Sequence, residues 1–375
     1  MQKLTEQAPE FIRAIAPYKA GKPVSDVVRE LGLDPHMVVK LASNENPLGL
    51  GEKAKAAIAK AAVDLGRYPD ANGFALKAKL AARHGVKSEQ ITLGNGSNDV
   101  LELAAKAFLT QGTNAVFSQY AFAVYPLATQ GCGAESKVVP AVCFTHDLDG
   151  FLNAIDSQTH VVFIANPNNP TGTFLPQEKL LAFLKQVPSN VLVVLDEAYN
   201  EFLKPEDQYD STQWVAQFPN LLVSRSFSKA YGLAGLRVGY AVSSVEVADL
   251  MNRVRQPFNV NSLALAAAEA AIDDVEFLQQ TYEVNLKGLE QIESGLKFLG
   301  LEYVPSYGNF VLFKAGNTDD AGIKVFDALQ RLGVIVRPVN GYGLPQWLRV
   351  SVGLPHENEA FLVALPKALA SAQAS

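Results

Sequence analysis

The chain has 375 residues, 48% of them hydrophobic and 19% charged, enough for a large core in about two to three compact units and too apolar for a disordered segment. Its net charge of −6 comes without a strongly basic stretch, so nothing supplies the phosphate-neutralising surface of a nucleic-acid binder. Cys132 and Cys143 are the only cysteines, too few for a disulfide framework, and no Cys/His cluster points to a metal.

The N-terminus, MQKLTEQAPEFIRAIAPYKAGKP, lacks a basic region followed by an apolar core, and no uncharged apolar run elsewhere approaches the ~20 residues needed to span a bilayer. A soluble, cytoplasmic protein without a membrane partner is expected. Residues 1–40 read as an arm plus a helix, Val24–Leu31. Strand-like and helix-like patterns then alternate through residues 41–260. Val38–Leu41, Ile91–Leu93, Ala115–Phe117, Val161–Ile164, Val191–Leu195 and Leu221–Val223 are short β-rich runs, several continuously apolar, as suits strands buried on both faces. Glu52–Val63, Phe74–Arg83, Asn98–Phe108 and Glu178–Gln186 carry helical patterns closed by Gly, Pro or polar residues. The alternation predicts an α/β fold with a mostly parallel sheet. Residues 261–375 change character: two long helical stretches, Ser262–Asp273 and Asp274–Leu299, precede strands near Asn309–Phe313 and Trp347–Val352 with a helix between them. These predict a smaller α+β C-terminal domain.

Unusual polar residues follow directly after the buried runs, where open α/β sheets place their ligands. VVFIANPNNPTGT runs into Asn166, Asn168 and Asn169, which alone would read as a turn. VLVVLDEAYNEF delivers Asp196 to a strand end with Glu197 and Tyr199 behind it; a carboxylate there needs a partner, either a structural one or a protonated ring nitrogen. LLVSRSFSKAYGLAGLRVGYA places Ser226, Ser228, Lys229 and Arg237 within one short stretch, a set suited to a phosphate and a reactive carbonyl. TLGNGSNDVLELAAKAF turns through Gly96 into a helix at Ser97, whose backbone N–H groups can hold phosphate, although the spacing is not a dinucleotide fingerprint.

At these residues the sequence resembles the fold type I enzymes that use pyridoxal 5'-phosphate, and among them the class II aminotransferases. The order Asn169-Pro170-Thr171-Gly172, Asp196 with Tyr199, Ser226-x-Ser228-Lys229 and Arg237 carries the resemblance. It implies that Lys229 bonds the cofactor covalently and, once freed, moves the substrate proton. Asp196 would hold the pyridine nitrogen, Asn169 and Tyr199 the ring oxygen, and Tyr125 in YAFAVYPLA would stack on the ring. Gly96, Ser97, Asn98, Ser226, Ser228 and Arg237 would hold the cofactor phosphate. Tyr68 in GRYPD resembles the tyrosine that reaches this phosphate from the neighbouring subunit, which implies a homodimer with shared active sites.

IAPYKAGKP, LASNENPLG, GRYPDANG and VIVRPVNGYGLPQWLRVSVG extend the resemblance along nearly the whole chain to the histidinol-phosphate aminotransferases of histidine biosynthesis. These exchange an amino group between L-histidinol phosphate and 2-oxoglutarate, giving imidazole acetol phosphate and glutamate. A site that accepts a phosphate ester in one half-reaction and a carboxylate in the other suits Arg337 and Arg349, with Tyr18 and Asn46 implied at the same substrate end. An aromatic amino acid aminotransferase on the same scaffold is the main rival. A decarboxylase of a phosphorylated amino acid and a non-catalytic cofactor sensor stand behind it; the sensor lacks the DNA-binding domain it would need.

Overall fold

After a two-residue strand, β1 (Val39–Lys40), the chain lays down seven more that share one sheet: β2 (Ile91–Gly94), β3 (Asn114–Ser118), β4 (Glu135–Val139), β5 (Thr159–Ala165), β6 (Leu192–Asp196), β7 (Leu221–Ser226) and β8 (Gly239–Val242). The structure is a computed structural model that describes residues 4–17, 21 and 23–374. Sheet order is β2-β8-β7-β6-β5-β3-β4, parallel throughout except for β8, which runs antiparallel to both its neighbours.

Continuous apolar runs are required because both faces are covered. Val162 and Ile164 of β5 with Val193 and Leu195 of β6 face a layer that includes Leu76, Leu80, Leu180 and Phe183 from helices Phe74–His84 and Gln177–Leu184. Their alternates Val161, Phe163, Leu192 and Val194 face Val100, Leu101, Leu103 and Met251 from helices Ser97–Phe108 and Val245–Val254. Period-two alternation thus feeds two cores from one strand.

The second body holds β9 (Tyr303–Val304), β10 (Phe310–Lys314), β11 (Val334–Ile335), β12 (Arg337–Pro338) and β13 (Trp347–Ser351). Four of them form an antiparallel sheet in the order β12-β13-β10-β9. Helices Val275–Phe298, Ala321–Arg331 and Pro355–Ala374 cover it through Ile292, Leu296, Val325, Leu329, Phe361 and Leu365. Among the described residues, no helix is long and apolar enough to cross a membrane.

Two placements differ from the sequence expectation. β1, grouped above with the strands of the main sheet, pairs in parallel with β11 of the second body. The helix Ser262–Ile272, assigned above to the C-terminal domain, packs its small face, Ala264, Ala267, Ala268 and Ala271, into the core of the main sheet beside Ala54, Leu76 and Leu80. Alanines admit a close helix–helix approach, and the chain crosses to the second body only after Ile272. Between β1 and helix Glu52–Ala61, residues 41–46 form an irregular strap. Leu41 N–H donates to the Ile335 carbonyl at 2.7 Å, and Ser351 N–H donates to the Leu41 carbonyl at 2.8 Å.

Candidate active site

The C-terminal ends of β5, β6 and β7 open onto a cavity of about 320 Å³ that the strap and β12–β13 close from the other side. Asp196 is the last residue of β6, so strand direction alone carries its carboxylate to the cavity edge. Its Oδ2 accepts the Tyr125 hydroxyl at 2.9 Å, while Oδ1 is buried with no hydrogen-bond partner. Burial pushes this carboxyl up to about 6, against the Tyr125 hydrogen bond and the Ala198 backbone N–H, which hold it down. A buried acceptor in this state calls for a donor that the chain does not supply.

Lys229 follows β7 and projects into the same cavity. Its Nζ donates to the Ser43 carbonyl at 3.2 Å and lies 5.7 Å from the centre of the Tyr199 ring. Burial, and then the positive charge of Arg349, bring its ammonium down to about 7, so a substantial neutral fraction exists at physiological pH.

Beside Lys229 the chain assembles an anion cradle. Ser228 N–H donates to Ser226 Oγ at 3.1 Å, and Arg237, in the left-handed region at φ 59°, donates through Nη1 to Ser228 Oγ at 3.3 Å and to the Ala234 carbonyl at 3.1 Å. Helix Ser97–Phe108 starts opposite, preceded by Gly96 at φ 85°, where any side chain would strike the Arg237 guanidinium. Gly239 of β8 lies so close that an added Cβ would sit 2.5 Å from Ser97 N. Asp99 turns away from the cavity: its Oδ2 accepts Asn95 N–H and Asn259 Nδ2, each at 2.8 Å, and fixes the turn. Two hydroxyls, a guanidinium and a helix N-terminus converging in this way suit a dianionic group.

At the other end, Arg337 and Arg349 lie directly opposite each other in the β12–β13 pair. Like charges at directly paired positions repel, and an anion between or beside them relieves that repulsion. Arg349 is buried; it donates to Asn169 Oδ1 at 2.6 Å and to the Ala42 carbonyl at 2.9 Å, with its guanidinium 5.2 Å from the Phe310 ring centre. Asn169 Nδ2 in turn donates to the Tyr199 hydroxyl at 3.1 Å.

Of the residues expected from sequence, Ser97, Asn98, Asn169, Asp196, Tyr199, Ser226, Ser228, Lys229, Arg237, Arg337 and Arg349 all line this cavity. Gly96 forms the turn just before Ser97, and three others stand elsewhere. Tyr125, expected on a ring face, is buried beneath the floor, stacked on Phe163 at 4.8 Å with its hydroxyl committed to Asp196; the aromatic wall is Phe122, edge-on to Tyr125. Asn46 does not face the cavity: its Nδ2 donates to the Ala230 carbonyl at 2.9 Å and Thr281 Oγ1 at 3.0 Å, anchoring the segment after Lys229. Tyr68 is 82% exposed and stacked on Phe258 at 4.7 Å, on the outer surface. Tyr18 lies outside the described residues. Sequence reasoning missed Ser43, Asn44, Phe122 and Tyr342, which line the cavity as well. Asn44 lay within a stretch already singled out, LASNENPLG, and its signal was that a buried segment between two bodies must satisfy its polar groups.

The cavity fits pyridoxal 5'-phosphate by its donors and acceptors. The orphaned Asp196 Oδ1 matches a ring N–H, the buried Lys229 amine matches the aldehyde, and the Ser226–Ser228–Arg237 cradle matches the phosphate. Among the described residues, no cluster of His, Cys, Asp or Glu could hold a metal ion.

Comparison with known proteins gives the family. The pattern that defines the family aminotransferase class I and II matches residues 36–365. The chain is 60% identical to histidinol-phosphate aminotransferase 2 of Ralstonia nicotianae over 98% of both chains. It is also 60% identical to histidinol-phosphate aminotransferase 1 of Cupriavidus pinatubonensis over 96% of both. Among solved structures, the histidinol-phosphate aminotransferase of Sinorhizobium meliloti, in complex with pyridoxal 5'-phosphate, superposes with a TM-score of 0.90 at 28% identity, over 97% of this chain and 98% of that one.

Proposed function

The chain belongs to the class I and II aminotransferases, and from that premise we propose that it exchanges the amino group between L-histidinol phosphate and 2-oxoglutarate, a step of histidine biosynthesis. It is a pyridoxal 5'-phosphate-dependent transaminase. The observation that carries the assignment is one cavity with Lys229 and the orphaned Asp196 carboxylate at its floor and two register-paired arginines at its far end.

When bound, pyridoxal 5'-phosphate supplies an electron sink that allows a Cα–H bond to break. Asp196 Oδ1 would accept the ring N–H and so favour a protonated ring, while Tyr125 holds Oδ2 and fixes the carboxylate plane. Lys229 would hold the cofactor through its Nζ, and the amine, brought down to about 7 in the cofactor-free chain, is placed to move the substrate Cα proton. Tyr199 and Asn169 would orient the ring oxygen, Phe122 would cover the ring face, and Ser97, Asn98, Ser226, Ser228 and Arg237, which line the same cavity, would hold the phosphate. Arg337 and Arg349 take the phosphate ester in one half-reaction and a carboxylate of glutamate in the other, because a guanidinium forks onto either anion.

The same reading makes the protein a cytoplasmic homodimer. Tyr68 and Phe258 form an exposed aromatic pair, with Val63, Leu65 and Phe74 also exposed nearby in the chain, which supports a surface meant for a second copy. The test is spectroscopic and kinetic. Adding L-histidinol phosphate to the yellow holoenzyme should bleach the band of the Lys229-linked cofactor, and 2-oxoglutarate should restore it. A tenfold or greater preference in kcat/KM for phenylalanine over histidinol phosphate would overturn the substrate assignment, and carbon dioxide release would overturn the reaction type.

A further inference from the structure

Asn44 holds an unusual position. It is buried, adopts φ 54° in the left-handed region that few non-glycine residues occupy, and sits in the strap between the two bodies. Its hydrogen bonds can be followed by donor logic alone. The Asn44 backbone N–H donates to Ser351 Oγ at 2.8 Å, so the serine hydrogen is free to go to Asn44 Oδ1, 2.9 Å away. That leaves Asn44 Nδ2 to donate to the Tyr199 hydroxyl at 3.0 Å. Asn309 Nδ2 holds the Asn44 carbonyl at 3.1 Å, which pins the left-handed backbone.

A second amide reaches the same oxygen. A guanidinium can only donate, so Arg349 fixes Asn169 Oδ1 toward itself and leaves Asn169 Nδ2 for Tyr199. Arg349 and Ser351 are two residues apart on β13 and share a face, so one strand sets the orientation of both amides. The Tyr199 oxygen therefore accepts two N–H donors, and the one hydrogen bond left to it is the one it gives with its own hydrogen. Burial also pushes this phenol up to about 12, so the hydrogen stays on.

We propose that Asn44 is a positioning residue for the transamination: with Asn169 it saturates the acceptor side of Tyr199 and turns the O–H into the cavity, making Tyr199 a donor only toward the cofactor's ring oxygen. This rests on the cofactor placement proposed above. A donor on that oxygen draws off negative charge that would otherwise hold a proton on the neighbouring Lys229 nitrogen. The charged and titratable groups that face Tyr199 are Arg349 from β13, Asp196 from β6, Lys229 after β7, and Tyr342, and all of them remain in the variants below.

The readout is the pH midpoint of the absorbance change of the resting holoenzyme, without substrate. Tyr199→Phe should raise that midpoint by about a unit and Asn44→Ala by about half a unit, the size of one net hydrogen bond. Adding Asn44→Ala to the Tyr199→Phe background should move it no further. Ser351→Ala keeps the backbone tie to Leu41 and the Asn309 bond to the Asn44 carbonyl but removes both contacts of its hydroxyl with Asn44, and should give a smaller shift of the same sign. An Asn44→Ala protein that melts lower yet keeps its midpoint, or whose shift survives intact in the Tyr199→Phe background, would falsify the inference. No shift in Tyr199→Phe itself would instead refute the cofactor placement. If Asn44→Ala does not fold, Ser351→Ala decides: an unmoved midpoint there overturns the role.

Discussion

Lys229 owes its chemistry to what surrounds it. An ordinary lysine has its midpoint near ~10.4 and is almost wholly charged at neutral pH, whereas burial and the nearby Arg349 bring Lys229 to about 7. Only the neutral amine attacks an aldehyde. Covalent attachment of pyridoxal 5'-phosphate to the cofactor-free protein should therefore speed up through pH 7 and level off above it. Stopped-flow absorbance measures this directly, and a rate still climbing at pH 9 would show an unperturbed lysine. Asp196 has the opposite need, since it must be ionised to hold a ring N–H. Tyr125→Phe removes the donor on Oδ2, destabilises the carboxylate and lifts its midpoint above about 6. The acid limb of pyridoxal 5'-phosphate binding to the cofactor-free protein should then move to higher pH by about a unit, which a fluorescence titration across pH measures. Asp196→Ala should cost ~10²–10³-fold or more in kcat while leaving the fold intact. Asp196 was legible because strand direction fixes where a terminal residue points, and Lys229 because it stands in the short loop just past β7, between hydroxyls and glycines. Tyr125 was not, because spacing shows which aromatics stand near a strand end but not which of Phe122 and Tyr125 turns toward the opening.

At the scale of elements, the long apolar strands β5, β6 and β7 were plain in the sequence, since burial on both faces leaves a continuous signature. β4 was not read: its sequence, Glu135–Val139, lies at the sheet edge and carries Glu, Ser and Lys on a partly exposed surface. β8 escaped for a different reason, because four residues after a loop punctuated by Gly232 and Gly235 give too short a pattern, and its antiparallel direction breaks the βα rhythm. That direction matters for the site, since it brings Gly239 against the turn at Ser97. Gly239→Ala would push backbone against backbone and shift the phosphate cradle. It should weaken binding of pyridoxal 5'-phosphate by roughly tenfold or more and lower the melting temperature of the cofactor-free protein. Titration by tryptophan fluorescence and a thermal melt separate the two effects, and unchanged cofactor affinity would show that the turn tolerates the displacement. The helix Ser262–Ile272 was recognised as a helix but assigned to the wrong body, because an alanine-rich face shows helicity without saying what it packs on.

For the whole molecule, the proposed dimer places Tyr68 in the site of the neighbouring protomer, and this has a consequence that activity alone can read. Lys229→Ala and Tyr68→Ala proteins should each be impaired as homodimers. Refolded together they should regain roughly a quarter of wild-type activity, because half of the dimers are mixed and one site in each mixed dimer carries neither change. No recovery on mixing, with dimers confirmed by light scattering, would place Tyr68 outside the partner's site. The two-body architecture was visible in the sequence as a change from alternating strands to long helices, but the return of residues 39–46 to the second body was not, since pairing between distant segments leaves no local pattern.

That return also sets a timetable. Asn44 and Ser351 meet across 307 residues, and β1 finds its partner only when Val334 and Ile335 exist. On the ribosome the main sheet can close once β8 has emerged, so Lys229 stands in a nearly finished floor while the strap still hangs loose. The roof that turns Tyr199 and presents Arg349 arrives with the last tenth of the chain. A nascent chain halted before β13 should therefore hold its main core yet fail to retain the cofactor, and release of the final segment should act as the switch that commits the protein to its ligand.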